Sequence, residues 1–358
     1  MDKGVVKSVT SDSFHVTRWW SSQPEITGFW GPATASIDWC ESNYAVTRFI
    51  AEFANTLSNL VFVALALFGL KKCRDSRLPI PLSLCQVGIA LVGIGSFLFH
   101  ATLKYEWQLG DELPMIYCCC LITYVAFDAR SPSPSSSSNF SSPTTSPPST
   151  PSPPNQSSRT TLKTPSSQDQ KQNNFPPNQL EKERDFQKIL LPYILSGYAL
   201  IVTIIYLRYP NPVFHQVSYA FIQLLSTIRV AITLRNMPQL TIQDQRNRKD
   251  AMKCEFIGTG LFLTGFLIWN IDNLFCDKIS QLKEYLGSPL SFIIEGHAWW
   301  HLLTGAGAYF IVVGIQLLSV SLKEGSDGYE LGFDSKFKLP FVKRVPIHYQ
   351  FCVNKRIA

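Results

Sequence analysis

Apolar residues in this chain run in long blocks; they do not alternate with polar ones at the period of a strand or a surface helix. Seven such blocks, at 49–70, 80–103, 113–127, 189–207, 213–234, 255–275 and 290–320, approach spanning length, because a hydrocarbon core of roughly 30 Å takes about 20 helical residues. The expected fold is therefore all-α, an integral membrane seven-helix bundle. The third block is short, and Pro114 near its start suits a first helical turn. The seventh is longer than a span needs, so it is expected to tilt or to emerge from the bilayer.

Composition agrees with this pattern. The chain is 46% hydrophobic and 16% charged, against about 25% charged in an average soluble protein. A mean hydropathy of only +0.06 reflects the stretch 131–167, where 24 of 37 residues are Ser or Pro; such a segment cannot form a packed core and reads as a disordered linker. The net charge of +6 does not indicate nucleic-acid binding, because no soluble domain carries it. The basic residues instead set an orientation. Lys71, Lys72, Arg74 and Arg77 follow the first span, Arg130 and Lys188 flank the insert, and seven basic residues lie between Lys323 and Arg356. The alternate loops are poorer in them. The expected topology places the N-terminus in the lumen and the C-terminus in the cytosol. It divides the chain into a luminal segment 1–48, spans 1–3 at 49–130, a cytosolic insert 131–188, spans 4–7 at 189–320 and a basic tail 321–358. Two glycosylation sequons, at Asn139 and Asn155, then face the cytosol and stay unmodified. Nine cysteines without a Cys-x-x-Cys pair argue against a thiolate zinc site. Cys118, Cys119 and Cys120 read as small packing residues. Cys40 and Cys276 alone fall in luminal segments, which makes them candidate disulfide partners.

Ionisable residues inside spans are costly and mark function by default. His100 lies near the end of span 2, and His297 and His301 lie in span 7 with the i, i+4 spacing that puts two imidazoles on one helical face. Asp111 opens span 3. Span 2 runs outward with His100 roughly 5 Å from its end, and span 7 runs inward with His297 roughly 10 Å in. All four groups can thus meet at one depth. Three imidazoles with an open fourth position is how catalytic zinc is held. Ala298 occupies the place where a His-Glu-x-x-His motif carries its base, which leaves Asp111 as the nearest candidate. Before span 1, Asp38, Glu41 and Asn43, with Glu52 just inside it, offer oxygen ligands to a hard cation such as calcium; an acidic turn capping a helix is the alternative. His215 reads as interfacial, Arg229 as snorkelling or paired, Asp272 as a structural cap, and Glu295 either as a partner to a histidine or as paired with another span.

Several motifs together carry a family resemblance. Gly28-Phe29-Trp30-Gly31-Pro32, Ile37-Asp38-Trp39-Cys40-Glu41, the run from Ile50 to Asn59, Phe99-His100-Ala101-Thr102-Leu103-Lys104-Tyr105-Glu106, Asp111-Glu112-Leu113-Pro114-Met115 and the His297/His301 segment resemble the alkaline ceramidases, in the manner of a fungal member. The resemblance spans about Gly28 to Val320 and is interrupted by the Ser/Pro-rich insert. It implies a seven-helix intramembrane amidase that cleaves ceramide to a sphingoid base and a fatty acid, in the endoplasmic reticulum or Golgi membrane. It further implies catalytic zinc on His100, His297 and His301, with Ser96 stabilising the oxyanion and Asp111 orienting or deprotonating water. It implies structural or regulatory calcium on Asp38, the Trp39 carbonyl, Glu41, Asn43 and Glu52. The partners expected are the bilayer and its ceramide, with no nucleic acid and no protein partner inferable. Two other readings remain open at this stage: a seven-helix receptor or transporter with structural zinc, and a related zinc hydrolase acting on another lipid amide.

Overall fold

The computed structural model describes residues 27–129 and 177–345, excepting the side chains of 177–188. The sequons at Asn139 and Asn155 and most of the insert lie outside these residues. Helices α1 (Phe53–Ser58), α2 (Leu60–Asp75), α3 (Ile80–Thr102), α4 (Tyr105–Asp128), α5 (Pro177–Arg208), α6 (Pro212–Arg235), α7 (Ile242–Leu274), α8 (Cys276–Leu286) and α9 (Gly296–Glu324) precede an antiparallel hairpin of β1 (Tyr329–Phe333) and β2 (Pro340–Arg344). Among the described residues seven helical stretches are long and apolar enough to cross a membrane, with α1 and α2 together forming the first. One compact unit comprises residues up to 131 and from 192 onward; of the other, 132–191, the described residues form the beginning of α5.

The first span is broken at Asn59. The Ser58 hydroxyl and the Asn59 amide both donate to the Asn55 carbonyl, at 2.8 and 2.9 Å, and such side chains compete with the backbone ladder. The third span differs from expectation. It starts at Tyr105, so Pro114 lies inside α4 instead of in its first turn. Pro114 has no N–H to offer the Gly110 carbonyl one turn earlier. That carbonyl instead abuts Gly95 of α3, where a Cβ would lie 1.8 Å from it. The seventh span also starts later than expected, because Leu290–Ile294 is a 3-10 turn and α9 opens at Gly296.

Helix α9 runs through the middle of the packing. Tyr309, Val312, Val313, Leu317 and Leu318 belong to one core cluster with Phe62 and Ala66 of α2, Leu82 and Ile89 of α3 and Ile122 of α4. Its approach to α7 is closest at Gly258 and Gly307, where a Cβ on either would meet the other's carbonyl at 2.7 Å, the small-residue contact that lets membrane helices pack backbone to backbone. Some polar expectations change. His215 is buried, and its Nε2–H donates to the Glu112 carbonyl at 2.8 Å, so it is a helix-packing group and not an interfacial one. Arg229 lies over the Phe127 ring at 5.0 Å. Asp272 accepts the Gly296 N–H at 3.2 Å and caps the start of α9, and Glu295 pairs with Lys283 at 2.5 Å. The three adjacent cysteines of α4 are buried free thiols, as their composition predicts.

Candidate metal centre

The site is assembled by satisfying a helix end. The last carbonyls of α3 have no partners within the helix. The extended segment before α1 supplies them: the Ala51 N–H donates to Ala101 and the Glu52 N–H to His100, both at 3.0 Å. This backbone pairing lays Glu52 beside His100, and the His100 Nδ1–H donates to Glu52 Oε2. Glu52 is fully buried and also accepts from Asn55 Nδ2 at 3.1 Å.

His297 and His301, one turn apart at the start of α9, join His100. The three ring centroids lie 4.6–5.0 Å apart. One ligand atom from each falls within 4.8 Å of the others, and all three residues are buried. No other group of three or more His, Cys, Asp or Glu side chains comes this close among the described residues. Each imidazole has a fixed orientation. His301 Nδ1 is 2.8 Å from Ser58 Oγ and 3.3 Å from Asn59 Nδ2, so the polar groups at the break in the first span hold this ring. His100, donating from Nδ1, leaves its Nε2 with no partner. His297 is stacked on Trp39, with centroids 4.0 Å apart and planes 28° apart, and its Nδ1 likewise has no partner. Orphaned buried nitrogens converging on one point fit a metal that takes neutral imidazoles, and a carboxylate or hydroxyl on the far nitrogen is the usual support.

Ser96 lies one turn before His100 on the same face of α3. Its side chain hydrogen-bonds Asp111, and the Gly95–Gly110 contact explains why: removing the Cβ and freeing the carbonyl brings the two flanking residues together. A Gly95→Ala substitution is expected to cost about 1–3 kcal/mol as overpacking. It should also depress turnover more than metal content, because it separates Ser96 from Asp111. Thermal unfolding and activity of the purified variant check this; wild-type values of both would show that the close contact is dispensable.

The acidic segment is less open than a solvated turn. The two Glu41 oxygens accept the Ala54 and Asn55 N–H groups at 2.6 and 2.8 Å and so cap α1. Asn43 donates to Asp38 Oδ1 at 3.2 Å. Burial, together with the Glu52 charge, lifts the Glu41 carboxyl to about 7. Burial and the charge of Asp38 raise Glu52. Burial lifts Glu295 to about 7, although Lys283 opposes it. Negative charge is thus crowded here, and Asn43 Oδ1 and Glu52 Oε1 are buried without partners. A hard cation would relieve both conditions. Trp39 reaches the histidines through its ring.

Two ties close this end of the molecule. Cys40 and Cys276 form a disulfide across 236 residues, with Cα atoms 5.5 Å apart, as their shared placement anticipated; a loop this long gives a crosslink stabilisation of about 5 kcal/mol in the chain-entropy account. Lys283 of α8 donates to the Cys40 carbonyl at 3.1 Å and to Glu295, joining the acidic segment to the residue that precedes α9. Ser58, Asn55 and Lys283 were not singled out from the sequence. The polar run Glu52, Asn55, Thr56, Ser58 and Asn59 within an otherwise apolar span was the available signal for the first two.

The family model described as Ceramidase matches residues 31–343. The chain is 34% identical over 287 residues to alkaline ceramidase 3 of Mus musculus, covering 80% of this chain and 84% of that protein. It is 29% identical over 316 residues to alkaline ceramidase YPC1 of Saccharomyces cerevisiae, covering 88% and 86% respectively.

Proposed function

Because this chain belongs to the ceramidase family, we propose that its three buried histidines hold zinc and that ceramide is cleaved there. The protein is a multi-pass membrane enzyme of sphingolipid metabolism, a ceramide amidohydrolase. The observation that carries the metal reading is the convergence of His100, His297 and His301 with two of their nitrogens unpartnered. No fourth His, Cys, Asp or Glu joins the group among the described residues, which favours an open, catalytic coordination position over a closed structural one.

When bound, zinc would supply a Lewis acid for the amide carbonyl and an activated water. The chain's own residues do the rest. Glu52 and Ser58 hold two imidazoles in place, and Trp39 fixes the plane of the third. Asp111 accepts the proton of the attacking water and returns it to the departing nitrogen, so that ceramide and water become a free sphingoid base and a fatty acid. Ser96 keeps Asp111 in place at rest and can turn its hydroxyl to the charge that develops on the carbonyl oxygen. Calcium on Asp38, Trp39, Glu41, Asn43 and Glu52 would neutralise the acidic segment. The disulfide supports a luminal setting for this end of the bundle, since such bonds persist in oxidising compartments, and hence an endoplasmic reticulum or Golgi membrane. The test is purified protein in lipid nanodiscs with a ceramide panel, with and without chelator, measuring released sphingoid base and bound metal. Turnover that survives complete metal removal would overturn the zinc reading.

Glu52 couples the two metal sets. The acidic run alone suggests that removing its carboxylate would weaken calcium and spare zinc. Its bond to His100 changes that expectation. Glu52→Gln should lower zinc affinity by roughly 10–100-fold, the usual loss when a carboxylate behind a ligating histidine is removed, and excess zinc should restore part of the activity. Competition with a metal-binding dye measures this; an unchanged zinc affinity would assign Glu52 to calcium alone.

A further inference from the structure

The histidines sit in the first turns of α9, and the β1–β2 hairpin follows its last turn, roughly 35 Å farther along the helix axis. Strand β2 is bolted to the bundle as far as Pro340, which pairs with Phe333 beside the turn. Tyr329 and Val342 are buried, the Tyr309 hydroxyl donates to the Pro340 carbonyl at 2.6 Å, and the Ser76 hydroxyl donates to Val342 at 2.8 Å. Lys72 at the end of α2 lies over the Phe341 ring at 4.1 Å. The hairpin therefore turns back along α9 to meet Tyr309, and Lys72 and Ser76 set it beside the end of α2, where that span leaves the hydrocarbon.

Its tip has the opposite character. Phe333 and Phe337 are 60% and 67% exposed. They are held out by a formed turn in which Asp334 Oδ2 accepts the Lys336 and Phe337 N–H groups, both at 3.0 Å, and the Asp334 N–H donates to Leu339 at 2.9 Å. Lys336 lies 4.9 Å over the Phe337 ring. Nearby acids are already engaged: Asp334 with the turn's backbone, Glu330 with Lys343 at 3.2 Å and Glu324 with the Tyr329 hydroxyl. Among the described residues no carboxylate forms a salt bridge with Lys336 or Lys338. Large aromatics beside ammonium groups, at the height where α2 ends, match the headgroup layer of a bilayer, and the charge matches an anionic one. We propose that the hairpin tip, 333–339, docks on the anionic lipid surface of the leaflet from which α2 and α9 emerge, with Phe333 and Phe337 in the headgroup layer and Lys336 and Lys338 on lipid phosphates and carboxylates.

The test is amide hydrogen exchange on the full chain in nanodiscs of phosphatidylcholine alone and of phosphatidylcholine with phosphatidylserine. Exchange across 333–339 should be slower in the anionic discs, on the order of tenfold for two lysines near the surface, and raised salt should remove the difference. Lys336→Glu with Lys338→Glu should abolish it. Phe333→Ser with Phe337→Ser should expose the tip in both lipids. Both double variants should hydrolyse ceramide normally in detergent micelles, which also reports that they are folded. The comparison between the two lipids needs no variant. Equal exchange in both would overturn the proposal, as would protection that grows with the number of chains per disc and so marks a second copy.

Discussion

His100→Ala, His297→Ala and His301→Ala should each bring ceramide hydrolysis below detection, with zinc falling in parallel. The three positions are not equivalent in their surroundings, and the losses should carry that signature. His297 and His301 share one helical turn of α9, so removing either leaves a two-histidine site spanning α3 and α9. His100 is the proposed ligand that ties α3 into the site, and its removal also leaves the buried Glu52 carboxylate without its imidazole partner. The Asn55 amide is then the donor left on Glu52, and a buried carboxylate short of a partner costs about 1–3 kcal/mol, so His100→Ala should be the least stable of the three, while His297→Ala, whose ring is stacked on Trp39, should unfold closest to the parent. Elemental analysis, sphingoid-base release and thermal unfolding of the three variants separate these effects. Full activity in a zinc-free His297→Ala protein would remove the metal from the mechanism.

The seven spans and the histidine trio were legible because each is a local pattern: block length for the spans, and residue type with i, i+4 spacing for the histidines. Depth along two helices then sufficed to predict that His100 meets His297 and His301. The Cys40–Cys276 bond was readable for the same reason, since loop assignment alone left those two cysteines together. What was not legible depends on contacts between segments. Pro114 looked like a helix start because a proline in a first turn costs nothing, whereas in the folded chain its missing N–H frees a carbonyl to meet Gly95. Glu52 reads as a calcium ligand from its place in sequence near Asp38 and Glu41; its further bond to His100 is visible only once its backbone pairs with the end of α3. Glu295 could not be assigned because its partner, Lys283, lies on a helix too short and too polar to be noticed among the spans.

Asp111→Asn should slow hydrolysis by roughly 10²–10⁴, the range for losing a positioned acid–base group, while zinc content and thermal unfolding stay at parental values. The separation of rate from metal is what makes this variant informative. An asparagine keeps the shape of the side chain, and its carbonyl oxygen can still accept the hydrogen bond that Ser96 gives Asp111, so α3 and α4 remain in register. What disappears is the carboxylate to which the proposed mechanism gives the proton of water before it passes to the departing nitrogen. Ser96→Ala offers the complementary loss. It leaves the carboxylate but removes its hydrogen-bond donor, and it should be slower by about a hundredfold, the scale for one donor to a developing oxyanion. Because the two residues touch, their effects should not add: the double variant should be little slower than Asp111→Asn if Ser96 serves chiefly to hold Asp111, and slower by the product of the two if its hydroxyl acts separately on the carbonyl oxygen. Near-normal ceramide cleavage in Asp111→Asn with zinc still bound would move the proton acceptor elsewhere, and the buried carboxylate closest in sequence, Glu112, is already engaged with Tyr206 and Gln108.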